Sequence, residues 1–122
     1  VQNVLGFGDH GSTFGGNPVC CAGAVSILER IDPALLAEVK AKGEFLKQSL
    51  SGAPGVESVS GMGLMVGVKT AKPAGDVVKA CMEQGVLCLT AKDKVRLLPA
   101  LNIPMSVLEK AVAVIKAACA AE

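Results

Sequence analysis

The sequence predicts an α/β fold, an α+β-like small domain in which helices pack against a small, mostly antiparallel sheet. Four segments carry apolar residues at helical spacing, and four shorter apolar segments have the character of strands. Gly- and Pro-containing breaks separate them in the order helix–helix–strand–strand–helix–strand–strand–helix. At 122 residues the chain has the size of one domain. Because the chain has only three Phe and neither Trp nor Tyr, we expect an aliphatic core.

A glycine-rich loop, His10 to Pro18 (HGSTFGGNP), opens the first helix. Asn17 is a good N-cap, and Pro18 fits the first helical turn, where its missing N–H is not needed. The three glycines let the backbone adopt positive φ and approach another group closely. Hydroxyls of Ser12 and Thr13, free N–H groups and the helix dipole can then face one point, which suits an anion such as phosphate. On spacing alone an ordinary tight turn accounts for the loop equally well, and neither common nucleotide-loop motif matches.

The first two helices are predicted from Pro18 to about Ile31 and from Pro33, after Asp32, to about Leu50. The buried stripe of the first is expected at Cys21, Ala24, Val25, Leu28 and Ile31. That of the second is expected at Leu36, Val39, Gly43, Leu46 and Leu50, with Lys40, Lys42 and Lys47 on its solvent side. Gly43 within this stripe predicts the close approach of a neighbouring element.

Strands are predicted at Val56–Ser60 and Leu64–Lys69, joined through residues 61–63. In the second strand, alternation places Leu64, Val66 and Val68 on one face. A third helix from about Ala74 to Gln84 is expected to bury Val77, Val78 and Cys81, and Gly85 is expected to end it.

The remaining strands are predicted at Val86–Leu89 and Val95–Leu98, on either side of a polar turn at residues 90–93. Ser106 and Glu109 have the spacing of a capping box at the start of the last helix. The stripe of that helix is expected at Leu108, Ala111, Val112, Ile115 and Cys119.

Composition narrows the classes of function. The net charge is +1, without a basic stripe or stacking aromatics, so we expect no nucleic-acid partner. The longest uncharged run, residues 11–28, contains Gly, Asn and Pro, so we expect no membrane span. The five cysteines lack C-x-x-C spacing and His10 is the single histidine, so we expect no metal site. They are expected to be reduced, small buried hydrophobes in an intracellular, cytoplasmic protein.

The stretch Gly8–Pro18 (GDHGSTFGGNP) resembles the corresponding loop of class III aminotransferases, the pyridoxal-phosphate enzymes of fold type I. It is most similar to that of the acetylornithine aminotransferases and the related ornithine aminotransferases. Val95–Ile103 (VRLLPALNI) resembles the family's segment near the C-terminus more weakly. The resemblance implies that residues 1–18 are a cofactor-phosphate loop from the end of the large domain and residues 19–122 the C-terminal small domain.

The resemblance also implies a homodimer that binds pyridoxal 5'-phosphate. Thr13 would hydrogen-bond the phosphate of the partner subunit's cofactor, and Ser12 would support it through its N–H or hydroxyl. Arg96 matches a family arginine at the edge of the active site, which pairs with a large-domain glutamate or receives a substrate carboxylate. Alternatively, Thr13 caps a local turn and Arg96 pairs with a nearby surface acid. His10 is interpreted as a structural neighbour of the loop.

In the family, the lysine that holds the cofactor covalently precedes this loop, so the resemblance implies no catalytic residue in this chain and no activity of the chain alone. The implied reaction of the full enzyme transfers the amino group of N-acetylornithine to 2-oxoglutarate in arginine biosynthesis, with ornithine, succinylornithine and 4-aminobutyrate as alternative amino donors within the same class. The lead-in Val1–Leu5, apolar and without a Met, favours a piece of a longer protein. The alternative is a free-standing α/β module that binds a phosphate-bearing ligand or a partner without catalysis.

Overall fold

The computed structural model describes residue 4 and residues 6–120. These divide into two compact units, one within residues 1–32 and the other within residues 33–122. The lead-in interpreted at Val1–Leu5 lies outside the described residues except for Val4. The predicted division into a loop of a large domain and a small domain, at residues 18 and 19, concerns the complete protein and stays a prediction.

The first unit contains the glycine-rich loop and helix α1, Pro18–Leu28. The predicted helix start is confirmed, but α1 ends before Ile31, whose N–H donates to the carbonyl of Leu28 in a tighter turn. The buried stripe predicted for α1 is wrong. Cys21, Ala24, Val25 and Leu28 are exposed and Ile31 is half-buried. The helix is apolar around its circumference, and the described residues of this unit (4 and 6–32) form no second helix or strand that could cover one face of it.

The second unit contains three helices and a four-stranded antiparallel sheet of order β1-β2-β4-β3, which confirms the predicted fold class. Its elements are α2 (Pro33–Leu50), β1 (Val56–Met62), β2 (Met65–Thr70), α3 (Ala74–Glu83), β3 (Leu89–Ala91), β4 (Lys94–Leu97) and α4 (Met105–Ala120). The strands form two hairpins, and β2 pairs with β4 to join them.

The core lies between one face of the sheet and the three helices. Leu64, Val66 and Val68 are buried as predicted, as are Val95 and Leu97 of β4. The helices contribute Leu46, Leu50, Val77, Cys81, Leu108, Val112, Ile115 and Cys119. The backbone of Gly43 approaches that of Gly63 closely, which confirms the prediction for Gly43.

Two predictions for α2 are wrong. Leu36 is 53% exposed, because the first turns of α2 extend beyond the buried part of its stripe. Lys42 is buried, with its side chain 8% exposed, because its aliphatic stem packs inward while its ammonium reaches the carboxylate of Glu38 at 3.0 Å. A long charged side chain can bury its methylenes and keep its charge at the surface, so polarity alone misplaces it.

Strand β3 begins at Leu89 rather than at the predicted Val86. Gly85 ends α3 with φ +78°, as predicted, and the N–H of Val86 then donates to the carbonyl of Cys81 at 2.9 Å. Val86 thus completes the helix end and its N–H is not free for a strand ladder. The predicted capping box is also wrong, because α4 begins at Met105 and the amides of Val107 and Leu108 bond to the Pro104 carbonyl, which leaves Ser106 inside the helix.

The opposite face of the sheet is not covered by the helices of this unit. Across it, the register aligns Ser60 of β1, Gly67 of β2, Arg96 of β4 and Leu89 of β3 in one row. We call this surface the open face. No helix among the described residues combines the length and apolar character needed to cross a membrane.

Candidate functional site

Hydrogen bonds fix the backbone just before the glycine-rich loop and at the end of the loop. At the start, the N–H of Gly6 donates to Asp9 Oδ2 at 2.7 Å, so this carboxylate is engaged locally. At the end, Asn17 donates through Nδ2 to the carbonyl of Phe14 at 3.0 Å, and its Oδ1 accepts from the N–H of Cys20 at 2.9 Å. Asn17 therefore caps α1, as predicted, and also fixes the turn before it.

Ser12 packs against the backbone of Gly15. A Cβ built on Gly15 would lie 2.9 Å from both Cβ and Oγ of Ser12, which is too close for any side chain. Gly16 follows with φ +75°, a conformation that favours glycine. The glycines therefore bring the turn back under Ser12 without side chains of their own.

Ser12 and Thr13 are both exposed. Within residues 6–120, neither hydroxyl makes a hydrogen bond, and the first turn of α1 holds no acidic residue. Two adjacent exposed hydroxyls, in a loop that leads into the partially positive N-terminus of a helix, supply donors that suit an anion. His10 is exposed beside this loop.

In the second unit, Arg96 lies on the open face, opposite Gly67 on β2 and Leu89 on β3. It is exposed and forms no ion pair with any residue that the structure describes. A guanidinium presents five donors in a planar fork that matches a carboxylate. Arg96 is thus available for an acidic partner.

Arg96 also borders an apolar groove of about 380 Å³ in the second unit. The groove lies between the 85–89 segment, the 98–103 segment and α4, and Leu87, Leu98, Ile103 and Val107 line it among others. Arg96 is the one charged residue in this lining.

The cysteines divide into two groups. Cys81 and Cys119 are buried as predicted, and Cys88 is half-buried beside Cys81, but Cys20 and Cys21 are exposed on α1, where no burying face exists in the first unit. Burial, and secondly the neighbouring thiol of Cys81, raise the pKa of Cys88 to about 12. Burial also raises the pKa values of Cys81 and Cys119. These three thiols are therefore protonated and poor nucleophiles.

Within the described chain, no group of three His, Cys, Asp or Glu residues is arranged to hold a metal ion.

Comparison with known proteins shows which family this chain belongs to. The protein family described as "Aminotransferase class-III" matches this chain over residues 1–119. The chain belongs to the class III aminotransferase family. The chain is 49% identical over 117 residues to the acetylornithine aminotransferase of Haemophilus ducreyi and 45% identical over 120 residues to that of Rhodobacter capsulatus. These alignments cover 94% and 93% of the chain, which spans 30% of the length of each relative.

Solved structures agree with this family. The ornithine aminotransferase of Toxoplasma gondii matches with a TM-score of 0.76 and 32% identity, over 98% of this chain and 31% of its own. The acetylornithine aminotransferase of Elizabethkingia anophelis matches with a TM-score of 0.76 and 27% identity, over 96% of this chain and 33% of its own. The predicted fold, a part of a pyridoxal-phosphate-dependent transferase, is thereby confirmed.

The predicted site residues fall in both units of the class III aminotransferase chain. Ser12 and Thr13 lie side by side on the loop, and Arg96 lies on β4 in the second unit. Their roles as ligands stay predictions. Sequence analysis did not single out Lys94 and Ser60, which the structure places near Arg96 on the open face. The alternation of Lys94 and Arg96 with the buried Val95 is the signal by which Lys94 could have been found.

Proposed function

We propose that this chain is part of an acetylornithine aminotransferase that moves the amino group of N-acetylornithine to 2-oxoglutarate in arginine biosynthesis. The family match over residues 1–119 carries the proposal, and the names of the relatives at 45% and 49% identity support acetylornithine as the amino donor. Five free cysteines fit a reducing compartment, and we place the enzyme in the cytoplasm.

The glycine-rich loop fits the phosphate of pyridoxal 5'-phosphate. Exposed hydroxyls of Ser12 and Thr13 supply donors without large side chains, and Gly15 is held too close to Ser12 to carry a side chain. Asp9, the residue just before the loop, accepts from the N–H of Gly6 and is thus occupied locally. In this proposal Thr13 donates its hydroxyl to a phosphate oxygen, and Ser12 donates its N–H or hydroxyl to the same group.

When bound, pyridoxal phosphate supplies an electron-withdrawing ring that stabilises the charge developed at the amino-bearing carbon of the substrate. The residues of this chain bind and orient. Ser12 and Thr13 fix the phosphate end of the cofactor, and the exposed Arg96 receives a substrate carboxylate. We assign no proton transfer to a residue of this chain.

The cofactor affinity of the full-length protein tests the role of Thr13. Replacement of a charge-assisted hydrogen bond in T13V should weaken the binding of pyridoxal phosphate by roughly tenfold or more. T13S keeps the hydroxyl and serves as the matched control, with an affinity close to that of the wild type. A titration of the apoenzyme followed by the absorbance of bound cofactor gives the dissociation constants. Equal affinities of T13V and the wild type would remove Thr13 from the phosphate site.

Hybrid dimers test whether the loop acts on the partner subunit. One subunit carries T13V and the other lacks the lysine that holds the cofactor, which we expect outside this chain. If Thr13 acts across the dimer, the one site that keeps the lysine also has a wild-type Thr13, and the hybrid binds pyridoxal phosphate with wild-type affinity. If Thr13 acts within its own subunit, that site carries T13V, and the hybrid needs roughly tenfold more cofactor for activity, as T13V itself does.

Steady-state assays of the full-length protein test the substrates. Glutamate formation from 2-oxoglutarate should be fastest with N-acetylornithine, and slower with ornithine as the competing amino donor. Preference for ornithine would assign the chain to the ornithine aminotransferases within the same family.

A further inference from the structure

The side chain of Lys94 crosses the open face of the sheet. Lys94 lies on β4 two residues before Arg96, so both residues are on the same face of the strand. Its Nζ donates to Ser60 Oγ at 3.0 Å, although Ser60 belongs to β1 and the whole of β2 lies between the two strands. The stem of Lys94 therefore spans β2 from one side to the other.

Gly67 is the residue of β2 over which this stem passes. A Cβ on Gly67 would lie 3.3 Å from Cδ of Lys94 and 3.7 Å from Ser60 Oγ. The first of these separations is tighter than most real side chains adopt, so the stem of Lys94 already fills the place of the missing side chain. Other side chains of the open face are thereby excluded from the surface of Gly67.

Arg96 is the direct neighbour of this filled space. In the register of the sheet, Gly67 pairs with Arg96 on β4 and with Ser60 on β1, so the three residues form one row. Two strand spacings amount to about 9.6 Å, a separation that an extended arginine and a serine hydroxyl together can bridge. Without the stem of Lys94, the guanidinium of Arg96 would be free to lie across Gly67 and donate to Ser60 Oγ.

Charge acts in the same direction as this packing. Lys94 forms no ion pair within the described part of the chain, so its ammonium stands beside Ser60 as a second cation. The nearby acids act mainly on Lys69, whose hydrogen bond to Asp93 and, more weakly, the charge of Glu57 raise the pKa of this lysine. A guanidinium that turned towards Ser60 would therefore approach a like charge.

We propose that Lys94 is a positioning residue for Arg96. Its stem, anchored by the hydrogen bond to Ser60, occupies the surface of Gly67 and keeps the guanidinium of Arg96 from settling on the sheet. Arg96 consequently stays exposed and without an ion pair, ready to receive a carboxylate. This inference rests on the proposed function in one respect, that Arg96 receives a substrate carboxylate.

Chemical labelling of Arg96 in the full-length protein tests this role without reference to turnover. Phenylglyoxal reacts with exposed guanidinium groups, and peptide mapping gives the labelling rate of Arg96 relative to Arg30, the other arginine of this chain, which is also exposed. K94A should slow the labelling of Arg96 roughly threefold, because the guanidinium then hydrogen-bonds across the sheet to Ser60. K94M keeps an unbranched apolar stem over Gly67 and should be labelled like the wild type.

A second substitution should rescue K94A. In K94A/G67V the valine side chain refills the space that the stem of Lys94 leaves, and valine is well suited to a strand. The remaining neighbour of a Cβ at this position, Ser60 Oγ, lies at an ordinary contact distance of 3.7 Å. The labelling rate of Arg96 in the double variant should return towards that of the wild type.

Steady-state kinetics supply the second readout. K94A should raise KM for 2-oxoglutarate and for N-acetylornithine roughly fivefold while kcat changes little, because either carboxylate must first draw the guanidinium off the sheet. S60A removes only the anchor of Lys94 and should shift KM in the same direction by less. K110A is the matched control, because it truncates an exposed lysine on α4, which packs on the opposite face of the sheet.

Equal labelling of Arg96 in K94A and the wild type would overturn the proposal, as would a K94M variant with the full defect of K94A or a K110A variant with the same KM shift. A lower thermal midpoint of K94A without any change in labelling would assign Lys94 a structural role alone and overturn it too. If K94A does not fold, slower labelling of Arg96 in S60A supports the proposal, and labelling equal to that of the wild type overturns it.

The two proposals fail in different ways. A full-length protein without transaminase activity, in which K94A still slows the labelling of Arg96, would refute the proposed function and retain the positioning role of Lys94. Normal transamination, together with Arg96 labelling and KM values that ignore Lys94, would do the reverse.

Discussion

Gly43 of α2 packs directly against the backbone of Gly63 in the turn between β1 and β2. A Cβ on Gly43 would lie 2.8 Å from the carbonyl carbon of Gly63, a separation that real side chains do not adopt. Gly63 has φ +53° and itself faces Val39 of the same helix, at 3.3 Å from the position of its own missing Cβ. Contact between helix and hairpin therefore depends on the absence of a side chain at both positions.

We predict that G43A destabilises the protein by about 1–3 kcal/mol, because the added methyl group forces the helix away from the hairpin. Alanine stabilises a helix by up to about 1 kcal/mol relative to glycine, so G43A lowers the free energy of unfolding only if the steric effect exceeds this gain. Urea denaturation measures the free energy of unfolding.

The matched control for G43A is G75A. Gly75 is also helical and lies in the same unit, but a Cβ on it would meet nothing within 4 Å. G75A should therefore be neutral or stabilising by up to about 1 kcal/mol. If G43A and G75A are equally stable, the contact between α2 and the hairpin accommodates the added methyl group without loss of stability.

N17A should destabilise α1 by about 1 kcal/mol, because Asn17 Oδ1 accepts from the N–H of Cys20 at the helix start. Hydrogen exchange of the Cys20 and Cys21 amides is the appropriate measurement, and both should exchange faster in N17A. N17D keeps the acceptor and loses the donor to Phe14, so its amides should remain protected. Equal exchange in all three proteins would contradict the role of the cap.

The ion pair of Lys69 with Asp93 predicts a pH dependence of stability. The hydrogen bond with Lys69 lowers the pKa of Asp93, and the same bond raises the pKa of Lys69. The contribution of Asp93 is therefore fully present above about pH 4 and is lost as pH falls through its lowered pKa. That of Lys69 is fully present below about pH 10 and is lost as pH rises through its raised pKa.

Thermal midpoints of D93N and the wild type should thus differ most between about pH 4 and pH 10 and converge at more acidic and more alkaline pH. Both side chains are solvated, so the difference should be small and should shrink in about 1 M salt. A difference that persists unchanged at high salt would indicate that Asp93 acts through packing or backbone contacts.

Alkylation should separate the five cysteines into two classes. At about pH 8, iodoacetamide should modify the exposed Cys20 and Cys21 of this chain first. Cys81 and Cys119 are buried, and Cys88 has a pKa of about 12, so these three thiols should react only after unfolding. Peptide mapping by mass spectrometry identifies the sites, and complete reaction in urea is the control. Rapid labelling of Cys88 would show that its groove opens to solvent.

Local signals predicted much of the fold, because these signals depend only on residues that are close in the sequence. Asn17 and Pro18 set the start of α1 through capping and a fixed φ. Alternation placed Leu64, Val66 and Val68 on the core face of the first hairpin. Gly85, with φ +78°, ended α3 where expected.

Other features depend on what packs against a residue, and the sequence alone did not reveal them. Lys42 is buried because its stem, not its charge, meets the core. The stripe of α1 was expected to be buried, although no element of the first unit covers it. Among the site residues, Ser12, Thr13 and Arg96 were found through the resemblance, whereas Ser60 emerged only once the register placed it next to Gly67.

Val68 and Val95, both fully buried, pair where β2 meets β4. Each hairpin closes through its own short turn, whereas this pairing brings together residues separated by the whole of α3 and β3. Closure of that longer loop loses more chain entropy before any packing is gained. The junction of the two hairpins should therefore limit the folding rate, so that truncation of Val68 or Val95 slows folding while changes in the hairpin turns mainly speed unfolding.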